Sequence, residues 1–400
     1  MKTPSLPLVL TLWALFLAPL LRAAEPLVSN VRAAQNGSTR EVLINYDLSL
    51  SGAASTYVSL QVSSNGGGTW LVPANTLSGN GIGSGVTPGK GKLIVWNAMT
   101  DWPGQLSPQT RFKVTASDYA PPGNMVPIPG GTFQMGNSFA GEGYSDEVPV
   151  HSVTVSAFYL QNTEVTKAQW DAVRDWGAAA GRGYTDLPVG GGKAANHPVH
   201  SITWYAMVKW CNARSQMENL TPCYTVGGVT YKTGSSAPDC NWSANGYRLP
   251  TEAEWERAAR GGQSGKRFPW GDTITHSLAN YYSSTSYAYD VSPTRGFHPT
   301  YAGNGTPYTS PVGSFDPNGY GLYDMTGNLW EWCWDWYSGS YYSTSPGTNP
   351  RGPTSGSFRV GRGGSWFNYA YGCRTAFRIG YDPTGSYDFV GFRPARSSVP

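Results

Sequence analysis

The chain has 400 residues, of which 50 Gly and 30 Pro make a fifth; 14% are aromatic and only 13% charged, against about a quarter charged in ordinary globular proteins. That balance excludes helical bundles and coiled coils, and aromatics this dense can build cores, which excludes disorder. With 28 Lys and Arg against 25 Asp and Glu, a net charge of +3 and no basic run, nothing points to nucleic acid or an anionic membrane surface.

Residues 1–24 carry Lys2, a mostly apolar stretch from Leu6 to Leu21, and then Ala23 and Ala24. This is the pattern of a secretory signal peptide cleaved near the two alanines. An uncleaved anchor is the other reading, but the stretch is short against the ~20 residues a span needs. The expected location is secreted, periplasmic or cell surface, with no membrane span after signal removal. From 25 to 118, period-two runs at 41–48, 57–63, 92–97 and 111–117, with the turn SSNGGGTW at 63–70, predict an all-β sandwich of immunoglobulin or fibronectin type. No His, Cys or acidic cluster marks a site in it, so it reads as a spacer or adhesion module. Residues 119–124, with Pro121-Pro122-Gly123, read as a linker.

The composition changes in 125–400, which holds most of the Trp and all five Cys. Three helices carry start signals. Thr166 with Gln169 forms a capping box, Thr203 can cap WYAMVKWCNARSQM, and Thr251 with Glu254 opens a helix that stops at Gly261-Gly262. Arg257 and Arg260 on the last helix read as a solvated or salt-bridged face. From 262 onward almost nothing is periodic, so over a hundred residues must be held by something other than ladders, bound ions being one candidate. Cys223 and Cys240 bracket a Gly-rich, hairpin-like stretch and are the pair best placed for a disulfide; two independent thiols is the other reading.

The segments MVPIPGGTFQMG (125–136), YLQNTEVT (159–166), GYRLPTEAEWERAARGG (246–262), FPWGD (268–272), GYGLYDMTGNLWEWCWDWY (319–337), RVGRGGSW (359–366) and VGFRPAR (390–396) together resemble the formylglycine-generating enzyme family, the sulfatase-modifying factors. The resemblance implies an α+β chain: the N-terminal all-β sandwich, then a loop-rich, C-type-lectin-like domain with little regular secondary structure. It also implies bound calcium and oxidation of a sulfatase cysteine to formylglycine with copper and O₂. Calcium prefers oxygens, many of them carbonyls on irregular loops. The matching positions are Asp324, Gly327, Leu329 and Glu331 for one site, and Asn280, Tyr281, Asn304 and Thr306 for a second, where Asn304 stands in place of the family's Asp. Ordinary turn chemistry is the competing reading of both.

The family's copper(I) is held by two cysteines five residues apart after Gly-Gly-Ser. Here Cys373 matches the second and Asn368 occupies the first position. A neutral amide binds copper(I) poorly. Ser365 and Trp330 match pocket positions. The resemblance implies two functions: a calcium-stabilised, non-catalytic exported scaffold binding a protein or peptide ligand, or a copper-dependent oxidase acting on a sulfatase-like substrate. The Asn368 departure favours the scaffold. Cys211 matches one half of a family disulfide whose other half is Pro394, and reads as a buried thiol. No three-histidine iron motif is present; His197 and His200 read as loop residues.

Overall fold

The alternation of the first hundred residues becomes two antiparallel sheets. One runs in the order Leu27–Gln35, Val42–Ser49, Gly89–Trp96, Leu77–Ser78, and the other Gly83–Val86, Thr56–Ser63, Arg111–Ser117. Inward residues of both, among them Ile44, Trp96, Val58 and Val62, form one apolar cluster. The strand Leu27–Gln35 gave no signal in the sequence because almost all of it is exposed, and a strand with no buried face shows no alternation. The computed structural model describes residues 26–397 except 38, 40, 51–55, 65, 68–71, 73, 75, 103–107, 118–123 and 304. The signal-peptide reading and all but one residue of the linker reading lie outside the described residues.

The three capped helices form where their signals stand. Lys167–Ala178 (α1) starts at the Thr166 and Gln169 capping box, and Trp204–Met217 (α2) at Thr203, whose side chain accepts from the Ala206 N–H. Glu252–Arg260 (α3) starts at the Thr251 and Glu254 box and ends at Gly261 in the left-handed conformation, φ 55°. Helix α2 is buried on nearly every side. Its Trp210 stacks on Trp170 of α1 at 6.0 Å, and its Trp204 indole donates to the Cys333 carbonyl at 2.9 Å. Arg260 is buried, bonded to Glu256 and the Gly136 carbonyl, whereas Arg257 donates to the Pro129 and Gly130 carbonyls.

The tract beyond 262 is less irregular than its sequence. Trp330–Trp336 is an inner strand of a sheet ordered Arg378–Tyr381, Arg359–Arg362, Trp330–Trp336, Val390–Gly391. It is buried on both faces although WEWCWDW alternates: the tryptophans lie on one face, and Glu331, Cys333 and Asp335 lie on the other, where Arg393 and the Glu252 N–H satisfy the two carboxylates. A second sheet joins Tyr247–Arg248, Ala395–Ser397, Phe158–Gln161 and Met125–Ile128, tying the end of the domain to its beginning. Four buried guanidiniums lock this framework: Arg362 on Glu256, Arg378 on Glu252, Arg374 on Glu147 and Arg393 on Glu331. Breaking such a pair from one side strands a buried charge, at a cost of about 3–5 kcal/mol.

Candidate functional site

The chain turns back after strand Arg359–Arg362 through Gly363 and Gly364, both at positive φ (94° and 77°). A Cβ on Gly364 would lie 2.6 Å from the Cys373 sulfur, so the turn rests directly on that thiol. Cys373 has no exposed surface and packs with Phe268, Ile274, Ala279, Tyr281 and Ala370. Burial, reinforced by the Asp290 charge, pushes its thiol far above the ordinary range and keeps it protonated. Asn368 is held rather than free: its Oδ1 accepts from Ser365 Oγ at 2.6 Å, and its carbonyl accepts from the Tyr282 N–H at 2.9 Å.

These residues do not fit copper(I). The one thiol at the position is sealed beneath the Gly364 turn, and the group at the other position is an amide, a poor copper(I) ligand, committed to Ser365. Cys333 sits in a different cluster with Val360 and Tyr342, also with a raised pKa from burial. Trp330 was expected to line a pocket; instead it is fully buried, its ring 5.7 Å from Phe377. Ser365 is likewise without exposed surface and serves to orient Asn368.

What surrounds Asn368 is aromatic. Tyr369, 43% exposed, meets Tyr282 at 5.1 Å and Tyr371 at 6.5 Å. Tyr371 in turn meets Tyr287, Tyr144 and Phe377. On the other flank Phe367 contacts Trp366 at 5.3 Å and Phe389 at 4.8 Å, and Phe389 contacts Tyr381 and Tyr387. Sequence reading missed this face because its rings come from segments more than two hundred positions apart and are brought together only by the fold.

The segment 324–331 is built differently. Asp324 (φ 55°), Gly327 (φ 77°) and Asn328 (φ 61°) are all left-handed. Gly327 approaches so closely that a Cβ would lie 2.3 Å from the Asn280 carbonyl oxygen. Asp324 Oδ2 accepts from the Gly313 N–H at 2.6 Å. Its Oδ1 is buried with no hydrogen-bond partner among the described residues, as are Thr326 Oγ1, Asn280 Oδ1 and Ser310 Oγ. Buried oxygens left this way are costly unless something absent from the protein chain binds them.

A third carboxylate joins this group, one the sequence reading did not single out. Glu164 is fully buried and accepts from Asn328 Nδ2 at 2.7 Å and the Leu329 N–H at 3.0 Å. Burial raises its pKa well above the carboxylate range, and the Asp324 and Glu331 charges raise it further. Asp324 is pushed up to about 6, again chiefly by burial. Glu331 is already engaged: Arg393 holds both its oxygens at 2.6 and 2.7 Å, and the Trp255 indole donates at 2.7 Å. One guanidinium thus faces three carboxylates. Such a surplus of buried oxygen and negative charge fits a hard divalent cation.

Of the second expected set, Asn280 carries an unpartnered Oδ1 and fits. The Tyr281 carbonyl lies 3.1 Å from His276 Nε2, Thr306 is exposed, and Asn304 lies outside the described residues.

Cys223 and Cys240, the pair best placed for a disulfide, stand here as free thiols, as do the other three cysteines. The hairpin exists, with Tyr224–Val226, Val229–Thr230 and Asp239–Cys240 in one sheet. Its register sets Cys240 opposite Tyr224, one position away from Cys223. The two thiols pack on one apolar cluster together with Cys211.

Comparison with known proteins places these features. A family model described as the sulfatase-modifying factor enzyme 1-like domain matches residues 111–398. The formylglycine-generating enzyme of Streptomyces coelicolor is 36% identical over 295 residues, 68% of this chain and 89% of that protein. The chaperone protein LppX of Paenibacillus barcinonensis is 33% identical over 315 residues, 76% of this chain and 99% of that one. Among solved structures, Treponema denticola variable protein 1 superposes with a TM-score of 0.53 at 31% identity, over 68% of this chain and 94% of its own.

Proposed function

The chain belongs to the sulfatase-modifying factor enzyme 1-like family, and from that premise we propose that it is a non-oxidising member. In this reading it is an exported, calcium-stabilised scaffold that binds a protein or peptide ligand on the aromatic face around Asn368. The observation that carries the proposal is the state of the copper position. Asn368 replaces a thiolate and is tied to Ser365, and the remaining Cys373 is sealed beneath Gly364.

Support for a binding role comes from what replaces the metal. Tyrosines and phenylalanines on a rigid framework give large contact area at small entropic cost, and their hydroxyls add hydrogen bonds. Loops fixed on a stable core are the usual carriers of recognition. Calcium would be held by Asp324 and the neighbouring Gly327 and Leu329 carbonyls, with Asn280 serving the second position. There it would offset the charge of Glu164 and Asp324. Glu331, held by Arg393, fixes the strand beneath. Export rests on the pattern of residues 1–24.

The test is oxidation of a peptide carrying Cys-x-Pro-x-Arg, with added copper and O₂, followed by mass spectrometry. The expected result is unmodified cysteine; formylglycine on the peptide would establish the oxidase reading instead.

A further inference from the structure

Two adjoining cavities of about 440 and 650 Å³ open well away in sequence from the Asn368 segment, where the C-terminal ends of α1 and α2 meet the hairpin of 224–230. They share Gln216 and Lys232 as wall residues. Their charge is one-sided: among the described residues, Arg182 and Lys232 line them and no Asp or Glu does.

The two cations are placed by their surroundings. Arg182 lies between Gly181 and Gly183, both left-handed at φ 83° and 86°, and its guanidinium stands 4.3 Å from the centre of the Trp176 ring. Lys232 donates to the Arg182 carbonyl at 2.8 Å and lies 5.2 Å from the Tyr184 ring. That bond uses one of the three ammonium hydrogens and neutralises nothing. The acid nearest in sequence, Glu218, is turned elsewhere, to Arg214 at 3.0 Å and the Tyr247 hydroxyl at 2.6 Å. Helix C-terminal carbonyls favour cations, but several here are already occupied by turns. Ala179 and Asn219 N–H groups donate to Trp176 and Gln216, and the Leu220 N–H to Ser215.

We propose that this paired cavity is a binding site for an acidic saccharide. Its carboxylate or sulfate is held by Arg182 and Lys232, and its hydroxyls by the amides of Gln216 and Asn219. The planar guanidinium suits a two-oxygen acid group, and the ammonium adds a point charge beside it. The open walls mix these polar groups with Leu220, Val226 and Val229, which suits a sugar ring, whose edges are hydroxyls and whose faces are apolar.

Titration calorimetry of the full chain with a tetragalacturonate and with a chondroitin sulfate tetrasaccharide tests this and separates the two acid groups. Saturable binding of at least one is expected, with maltotetraose, a neutral sugar, inert. The Arg182→Ala/Lys232→Ala variant should lose tenfold or more in affinity. Lys90→Ala/Lys92→Ala, which removes the same charge from the N-terminal sheet, should lose none. Lys232→Gln keeps a donor for the Arg182 carbonyl and should also weaken binding, which guards against misfolding of the alanine pair. Failure of both acidic probes to bind, or equal loss in the two double variants, overturns the proposal.

Discussion

Two segments of the domain descend from the same pattern and have come to opposite ends. Residues 324–331 are where we propose that calcium binds, and around them buried oxygens of Asp324, Thr326 and Asn280 stand without partners among the described residues. Residues 363–373 hold the Gly-Gly-Ser turn with Asn368 where the resemblance places a thiolate, and there Ser365 Oγ bonds Asn368 and the thiol is sealed, the buried Trp366 indole N–H being left without a partner among the described residues. An intact ion site leaves its donors waiting, at a cost only the ion repays. On the proposed reading, a position that no longer binds a metal satisfies its oxygens internally. Unpartnered oxygen is therefore a better guide to a retained ion than residue identity alone.

The contrast can be broken or sharpened by experiment. Arg393→Ala should give the largest effect, because it leaves three buried carboxylates without their guanidinium. A loss of about 3–5 kcal/mol in urea denaturation is expected, and a loss below 1 kcal/mol would mean the carboxylates are not charged together. Chelation comes next. At calcium concentrations near a hundredfold above Kd, the ion contributes about 2.7 kcal/mol, so a chelator should lower Tm by several degrees; an unchanged melting curve removes calcium from the picture. Gly364→Ala sets a Cβ against the Cys373 sulfur at positive φ, and about 1–3 kcal/mol of strain should follow. Combining it with Cys373→Ala should relieve part of that loss. No relief would show that the thiol does not fill the space under the turn. The smallest effect is kinetic: Cys373, raised in pKa by burial, should resist alkylation at pH 8 until the protein unfolds. Labelling of the native protein at the rate of a free thiol would contradict a sealed position.

Local chemistry was legible in the sequence and long-range chemistry was not. Thr166, Thr203 and Thr251 announce helices because a cap needs only the next three residues, and all three hold in the structure. The paired runs of the N-terminal sheets alternate because one face is buried. Trp330–Trp336 alternates too, but its polar face is buried, and the arginine partner that makes this possible, Arg393, lies some sixty positions away. Glu164 was passed over because its partners, Asn328 and Leu329, lie more than 160 positions away. Spacing along the chain set Cys223 beside Cys240, but not Cys211, which the fold adds to the same cluster. The Asn368 substitution was visible at once, but the aromatic face around it needed the fold to assemble rings from Tyr144 to Phe389.

The central claim is that the copper position has been closed rather than thinned, and a copper(I) titration against a competing chromophoric chelator tests it most directly. The protein should bind copper(I) no better than its Cys373→Ser variant. One tightly bound equivalent in the native protein, absent from that variant, would contradict it.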